Sequence, residues 1–330
     1  MRNNSVKRIL TTREFGLLVV LILLCGLIQF RNPHFLTAPV IDSILRNYSY
    51  TILMASAMLM VLLVGGIDIS VGSTLALAGM TSALLMRDGI ITNVWQAYLT
   101  SLGVGIVCGF LVGLVITKGK VLPIIASLGF MYVFRGMTFF ISGGRWVSMN
   151  DLLVDFRIFS QGTTLGISHL IWMTILIYIS VFVMLKWSRL GRQIYAVGSN
   201  PEAAKVSGIH SDRIKMFVYT FNGALAGLSG AMFVGFYAGA QNNIAMGLEL
   251  DIIAACVIGG VSLKGGQGTI PGVLLGALMI AVINRSLSLV GIDPFWQQSL
   301  KGAVILLAVT ANILMQRLGI RRNLKMREMV

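Results

Sequence analysis

The sequence predicts an all-α fold: a polytopic membrane helical bundle of about ten transmembrane helices, one domain over residues 1–330, with room for two related halves. Three observations predict it. Hydrophobic residues make up 56% of the 330 and charged residues only 12%, with a mean hydropathy of +0.85. That is more apolar surface than a soluble domain of this length can use. The apolar residues fall in runs near the roughly 20 residues an α-helix needs to cross a bilayer. Lysine and arginine are also shared unequally between alternate loops.

The runs lie near 15–30, 50–65, 70–86, 94–117, 121–142, 167–186, 214–237, 249–263, 268–290 and 296–316. No small-residue cleavage pattern precedes Arg31, so the first run reads as a span and not a leader. The second, third and eighth are short and glycine-bounded. Broken or re-entrant helices can replace some of these, which gives eight to ten spans. Gly105, Gly109 and Gly113 recur every fourth position, as do Gly268, Gly272 and Gly276, and the pair Gly223 and Gly227. Small residues at that spacing let helix backbones approach closely. Gly65-Gly66-Ile67-Asp68-Ile69-Ser70 is echoed by Gly259-Gly260-Val261-Ser262-Leu263-Lys264, more than half the chain away. Duplicated halves are common in transporters, with the substrate path at their interface. The parity of the spans between them decides whether the repeat is parallel or inverted.

A net charge of +14 would suggest nucleic acid in a soluble protein, but its distribution has a membrane explanation. With the spans alternating from a cytoplasmic N-terminus, eighteen Lys/Arg fall inside: four at the N-terminus, Lys118, Lys120, six in a polar island, Lys264 and five after Gln316. Seven fall outside: Arg31, Arg46, Arg87, Arg145, Arg157, Arg285 and Lys301. This is the positive-inside asymmetry. It puts both termini and the island in the cytoplasm and argues against a nucleic-acid partner. The basic tail Arg321–Val330 is a topology signal that also suits anionic membrane lipid.

Catalytic chemistry finds little footing. Cys25, Cys108 and Cys256 lie in apolar runs without metal-ligand or disulfide spacing. His34, His169 and His210 stand near span ends as interfacial histidines. The phosphate-cradling G-x-x-x-x-G-K-[ST], H-E-x-x-H and G-x-S-x-G patterns do not occur. The expectation is a non-enzyme with no cofactor, no metal and no catalytic residue.

Two groups of residues stand out. The island Lys186–Lys215 carries a short helix with its own signals: Asn200 to cap it, Pro201 at the first position, and Gly208 to end it after about seven residues. Ser199 and Glu202 also permit a capping box one residue earlier. Asn200, Pro201, Glu202, Ala203, Ala204, Lys205 and Gly208 thus form a compact element for a partner to grip. The second group holds polar residues in spans, namely Asp68 after Gly65 and Gly66, Arg135, and Asn222. A charge at the bilayer centre costs about 2.5–3.5 kcal/mol on insertion scales, so Asp68 and Arg135 should each face a cavity or a partner, whereas Asn222 is a weaker candidate, an amide of the kind that usually bonds a neighbouring helix. Asp68 and Arg135 can pair with one another. Asp68 can instead cap the following helix, and Arg135 reads as a buried tie before a pore-lining residue. Asn284, Glu249 and Asp251 are weaker candidates.

VGGIDISVGSTLALAGM, RLGRQIYAVGSNPEAAKVSGI and LELDIIAACVIGGVSLKGGQGTIPGVLLGAL resemble the membrane permeases of bacterial ABC importers for simple sugars, a family that includes ribose, xylose, rhamnose and autoinducer-2 systems. The resemblance spans residues 30 to 310. It implies a permease homo- or heterodimer in the bacterial inner membrane, seated on two cytoplasmic ABC ATPase subunits and supplied with sugar by a periplasmic substrate-binding protein. It also implies that Asn200–Gly208, with Glu202-Ala203-Ala204, is the coupling helix that docks on the ATPase, within a coupling loop at about 187–213. Gly65, Gly66, Asp68, Arg135 and Asn222 are then the residues assigned to the translocation path. The outer segments Ser142–Gly166 and Ala238–Leu248 are the expected docking surface for the binding protein. Gly143–Trp146 is similar to the rhamnose and autoinducer-2 branches. An ion-coupled secondary transporter is the alternative. It would be expected to use intramembrane carboxylates and to work alone.

Overall fold

A computed structural model describes residues 13–289 and isolated helical positions between 296 and 310. It holds twelve α-helices among the described residues: α1 Arg13–Arg31, α2 Ala38–Leu63, α3 Val71–Arg87, α4 Val94–Thr117, α5 Pro123–Ser142, α6 Val154–Gln161, α7 His169–Trp187, α8 Arg189–Ser199, α9 Pro201–Val206, α10 Ser211–Tyr237, α11 Leu248–Ile258 and α12 Ile270–Leu289. A two-stranded hairpin, β1 Thr163–Thr164 with β2 Ile167–Ser168, is the sheet seen among them. The chain is an all-α polytopic bundle.

α2 sits at the centre. Every residue from Ser49 to Val64 is buried, so its apolar character runs all round the helix and not along one stripe, as expected of a helix wrapped by others. Some hydroxyls buried in the bundle bond back to their own helix, among them Ser56 Oγ to the Leu53 carbonyl (2.6 Å) and Thr138 Oγ1 to Phe134 (2.8 Å). This satisfies them where water is absent. Glycine sets the closest seam. A Cβ on Gly105 would sit 2.7 Å from the Gly227 Cα, and one on Gly109 would sit 2.9 Å from the Gly223 Cα. α4 and α10 therefore touch backbone to backbone, and Ser101 Oγ donates across the seam to the Gly227 carbonyl (2.6 Å).

Five helices (α1, α4, α5, α7 and α10) are long and apolar enough to cross a membrane, and α12 is a shorter apolar helix. The other expected spans take different forms. α2 begins at Ala38 and not near 50. Its first three turns carry Asp42, Arg46 and Asn47, which hid them from an apolar-run reading, and Asp42 pairs with Arg46 one turn on (2.7 Å). α11 has eleven residues, about 16 Å of helix against a hydrocarbon core of about 30 Å. It is a broken helix, as the glycine-bounded eighth run allowed. α8 was not anticipated: the island holds two helices, not one. Of the tenth run only isolated helical positions are described, and the basic tail and the first twelve residues lie outside the described residues.

The sequence echo has a structural counterpart. α2 ends with Gly65 at φ +74 and α11 with Gly260 at φ +98. Gly65 N–H donates to Leu62 O (2.9 Å) and Gly66 N–H to Val61 O (3.0 Å). Gly260 N–H donates to Val257 O and Val261 N–H to Cys256 O (both 3.0 Å). These are two Schellman endings, and they align Gly65 with Gly260, one position off the sequence register. The two turns lie side by side, with Gly266 N–H donating to the Leu63 carbonyl (2.9 Å).

Candidate coupling and translocation sites

At one end of the bundle α8 and α9 form a connected unit. Ser188 caps α8 by accepting from Gly191 N–H (3.0 Å). Gly191, Ile194 and Val197 are its buried face, and their three-residue spacing is the signal that could have disclosed the helix from sequence. Gly198 lies against the Leu63 carbonyl and the Gly266 nitrogen, where any Cβ would collide. α8 thus rests on the end of α2 and on the Gly265–Gly266 segment that leads into α12. Tyr195 reinforces this, donating from its hydroxyl to the Gly268 carbonyl (2.8 Å).

α9 follows at once. Asn200 Oδ1 accepts from the N–H groups of Glu202 (3.1 Å) and Ala203 (3.0 Å), with Pro201 at the first helical position. The helix closes with Gly208 at φ +79, its N–H on Lys205 O (3.0 Å) and Ile209 N–H on Ala204 O (2.9 Å), a third Schellman ending. Asn200 is the cap, and Ser199 is the last residue of α8. Ala204 is buried as a peg. Pro201, Glu202, Ala203, Lys205 and Gly208 face solvent, and Val206 is 91% exposed. The result is a short, fixed, solvent-facing plug with an apolar tip.

Deeper in the bundle the non-helical linker 64–70 carries Asp68, 2% exposed. Its Oδ1 accepts from Ser70 N–H (2.9 Å) and Ser70 Oγ (2.6 Å), a turn that leads into α3. Its Oδ2 accepts from Asn222 Nδ2 on α10 (2.9 Å). Gly66 packs on the Tyr219 hydroxyl so closely that a Cβ would overlap it. Tyr219 Oη and Asn222 Oδ1 are buried without a hydrogen-bond partner among the described residues. Gly66, Asp68 and Asn222 are thus together, with Gly65 exposed at the turn, and Tyr219 joins them. A lone tyrosine in an apolar run gave no sign of that in the sequence.

Arg135 stands apart, and it does not pair with Asp68. Its Nη1 donates to the carbonyls of Asn242 (3.1 Å) and Ile244 (2.7 Å), in a second non-helical stretch between α10 and α11. Asn242 and Ile244 are buried, and buried carbonyls outside a helix need such donors. Ser142 Oγ holds the same stretch through Asn242 Oδ1 (2.8 Å). Glu249 Oε1 accepts from Gly247 N–H (3.2 Å), and Asn284 Nδ2 donates to Asp251 (3.0 Å), so these weaker candidates act as ties. At the far end of the bundle Val147 and Ala240 exchange two backbone hydrogen bonds (2.9 and 3.0 Å), which joins the two outer segments singled out in the sequence. His169 stacks on Phe159 (4.9 Å) and lies within hydrogen-bond reach of Thr164 Oγ1 and the Phe159 carbonyl (2.7 Å each).

Comparison with known proteins gives this arrangement a family. The model for "Branched-chain amino acid transport system / permease component" matches residues 40–309. The ribose import permease of Escherichia coli K12 is 38% identical over 297 residues, covering 88% of this chain and 91% of that protein. The ribose import permease of Bacillus subtilis 168 is 38% identical over 90% of this chain and 92% of its own length. The galactose/methyl galactoside import permease of E. coli K12 is 34% identical over 92% and 94%. No solved structure matches the chain. A multi-pass inner-membrane protein with this coverage on both sides is no isolated likeness: the chain belongs to the permease family of bacterial ABC importers for simple sugars.

Proposed function

We propose that this chain is the membrane-spanning subunit of an ATP-binding-cassette importer that moves a monosaccharide, of ribose or galactose type, into the cytoplasm. Permeases named for a pentose and for a hexose match it nearly equally. That fits a path passing small polyols as a class, with selection left to a periplasmic binding protein. Rhamnose and autoinducer-2 stay within the same class. Residues 1–330 act as one transmembrane domain beside a second permease subunit. The 187–213 segment is its cytoplasmic coupling loop, both termini lie on that side, and ATP is hydrolysed in partner subunits.

The observation that carries this reading is α9, capped at both ends, pegged by Ala204 and otherwise exposed. An ATPase that closes on ATP grips such a plug and moves it. α8 passes the movement to the α2–α3 and α11–α12 turns through Gly198. The linker carrying Gly65, Gly66 and Asp68, with Asn222 opposite, is then the part of the translocation path that shifts, and Arg135 is the part that stays. This is a two-state element biased by a partner's ligand. The test is sugar uptake by the reconstituted complex carrying Glu202→Arg. The expected result is at least a ten-fold loss of uptake and of ATPase co-purification, at normal membrane abundance. Normal uptake sinks the coupling role, and uptake of leucine in place of sugar by the wild-type complex sinks the cargo.

A further inference from the structure

The joined outer segments enclose a cavity of about 480 Å³, lined among others by Trp146, Ser148, Phe233, Tyr237, Gln241 and Ile244. Its size falls in the range of roughly 300–1,000 Å³ typical of small-molecule sites, which combine aromatic walls with a few placed polar groups. No lining residue is charged. The charges that stand behind the lining are already engaged, Arg135 on the Ile244 carbonyl (2.7 Å) and Asp151 on the Ser148 hydroxyl (2.7 Å), so a zwitterionic amino acid would give up hydration for partners already taken, at a cost. A neutral polyol has no such cost. Trp146, 64% exposed, and Tyr237, 50% exposed, present ring surface that remains open to solvent. The Gln241 amide makes no side-chain hydrogen bond among the described residues and can both donate and accept.

The cavity is also rigid. Tyr50, Phe233 and Tyr237 form a chain of ring contacts at 5.1 and 4.4 Å. The Val147–Ala240 bridge closes one edge, and Arg135 fixes Ile244 from below. Ala238 holds φ +51, a left-handed conformation unusual for a residue with a Cβ, of the kind that persists where the surroundings over-determine it.

We propose that this cleft is a receiving subsite for one monosaccharide ring, with the C–H face of the sugar on the Trp146 indole, its hydroxyls on the Gln241 amide, and one hydroxyl donating to Ser148 Oγ, whose own proton is held by Asp151 (2.7 Å). The proposal rests on the sugar-importer reading. It gives the chain a site of its own at the point where the binding protein releases its cargo.

Two measurements test it. Wild-type permease in nanodiscs is titrated with D-ribose, D-galactose and L-leucine while tryptophan fluorescence is followed. The sugars should change the signal at millimolar concentration and leucine should not, and Trp146→Phe should abolish the change. A leucine response equal to that of sugar, or a sugar response that survives Trp146→Phe, overturns the proposal. In the reconstituted complex, Trp146→Ala with Gln241→Ala should lower ribose uptake about ten-fold, a loss that raising the binding protein until its association is saturated does not rescue. If that association is what falls, the cleft is a protein contact and the proposal fails. Unaltered uptake in the variant overturns this subsite alone. A wild-type complex that takes up no sugar overturns the importer reading beneath it.

Discussion

Two non-helical stretches of the bundle are held in opposite ways. The 238–247 stretch is held by a guanidinium: Arg135 reaches from α5 to two backbone carbonyls, and Ser142 and the Val147–Ala240 bridge add further bonds. The 64–70 linker is held to α10 through one side-chain pair, Asp68–Asn222, with the Tyr219 hydroxyl and Asn222 Oδ1 left without partners beside it. Asn242 and Ile244 are buried beside exposed neighbours, and backbone acceptors clamped there by a charge replace that donor only at a cost. A carboxylate facing an amide with an oxygen to spare does have an alternative. The first arrangement suits a fixed frame and the second suits a part that changes neighbours.

The largest effect should come from breaking the frame. Arg135→Ala strands two carbonyls, each worth about 1–3 kcal/mol when left unsatisfied. Membrane abundance and the melting temperature in detergent should both fall sharply, with Arg135→Lys recovering part of the loss. An unchanged melting temperature in Arg135→Ala would mean that the outer bonds suffice and that the contrast between the two stretches is false.

These two stretches also mark where the sequence was legible. α9 was readable to its ends because Asn200, Pro201 and Gly208 act within one helical turn of their own positions. The polar residues at 68, 135 and 222 were conspicuous because charge and amide are rare in spans. Their partners were not. Arg135 bonds backbone carbonyls more than a hundred positions away, and a carbonyl leaves no trace in residue identity. The Asp68–Arg135 pair looked natural from charge alone, yet the fold satisfies each residue separately. α8 went unseen because its buried face is one glycine and two aliphatics within a basic stretch. The outer segments Ser142–Gly166 and Ala238–Leu248 were named together from the sequence as one surface, but the strand-like pairing of Val147 with Ala240 that joins them left no mark in residue identity.

A smaller effect is expected at Asn222. Asn222→Ala removes the one amide that Asp68 receives from α10 and leaves a buried carboxylate oxygen unpaired, at roughly 2–3 kcal/mol. The melting temperature should drop by less than in Arg135→Ala, and a single Asn222→Asp should be worse than Ala because two carboxylates would then face each other. If Asn222→Ala melts like the wild type, the linker is held by its glycine turns and not by this pair.

The smallest change in stability, and the most telling, is Asp68→Asn. The new side chain keeps its size and an oxygen for the Ser70 turn, and Asn222 can rotate to offer its spare Oδ1 to the new amide, so the bond survives in neutral form. A neutral bond is roughly half as strong as a charge-assisted one, and the difference in stability should stay near 1 kcal/mol. Abundance should then be nearly normal. Transport should not be: if the linker trades one partner for another as the bundle tips, the balance between its two states depends on the strength of this bond, and a shift of about 1.4 kcal/mol alters a population ratio ten-fold. Uptake per molecule of inserted Asp68→Asn is the measurement that separates the two roles. Uptake reduced several-fold at normal abundance assigns Asp68 to the moving part. Uptake and abundance falling in proportion reduces it to the turn that starts α3, and leaves the 64–70 linker as much a part of the frame as the loop Arg135 holds.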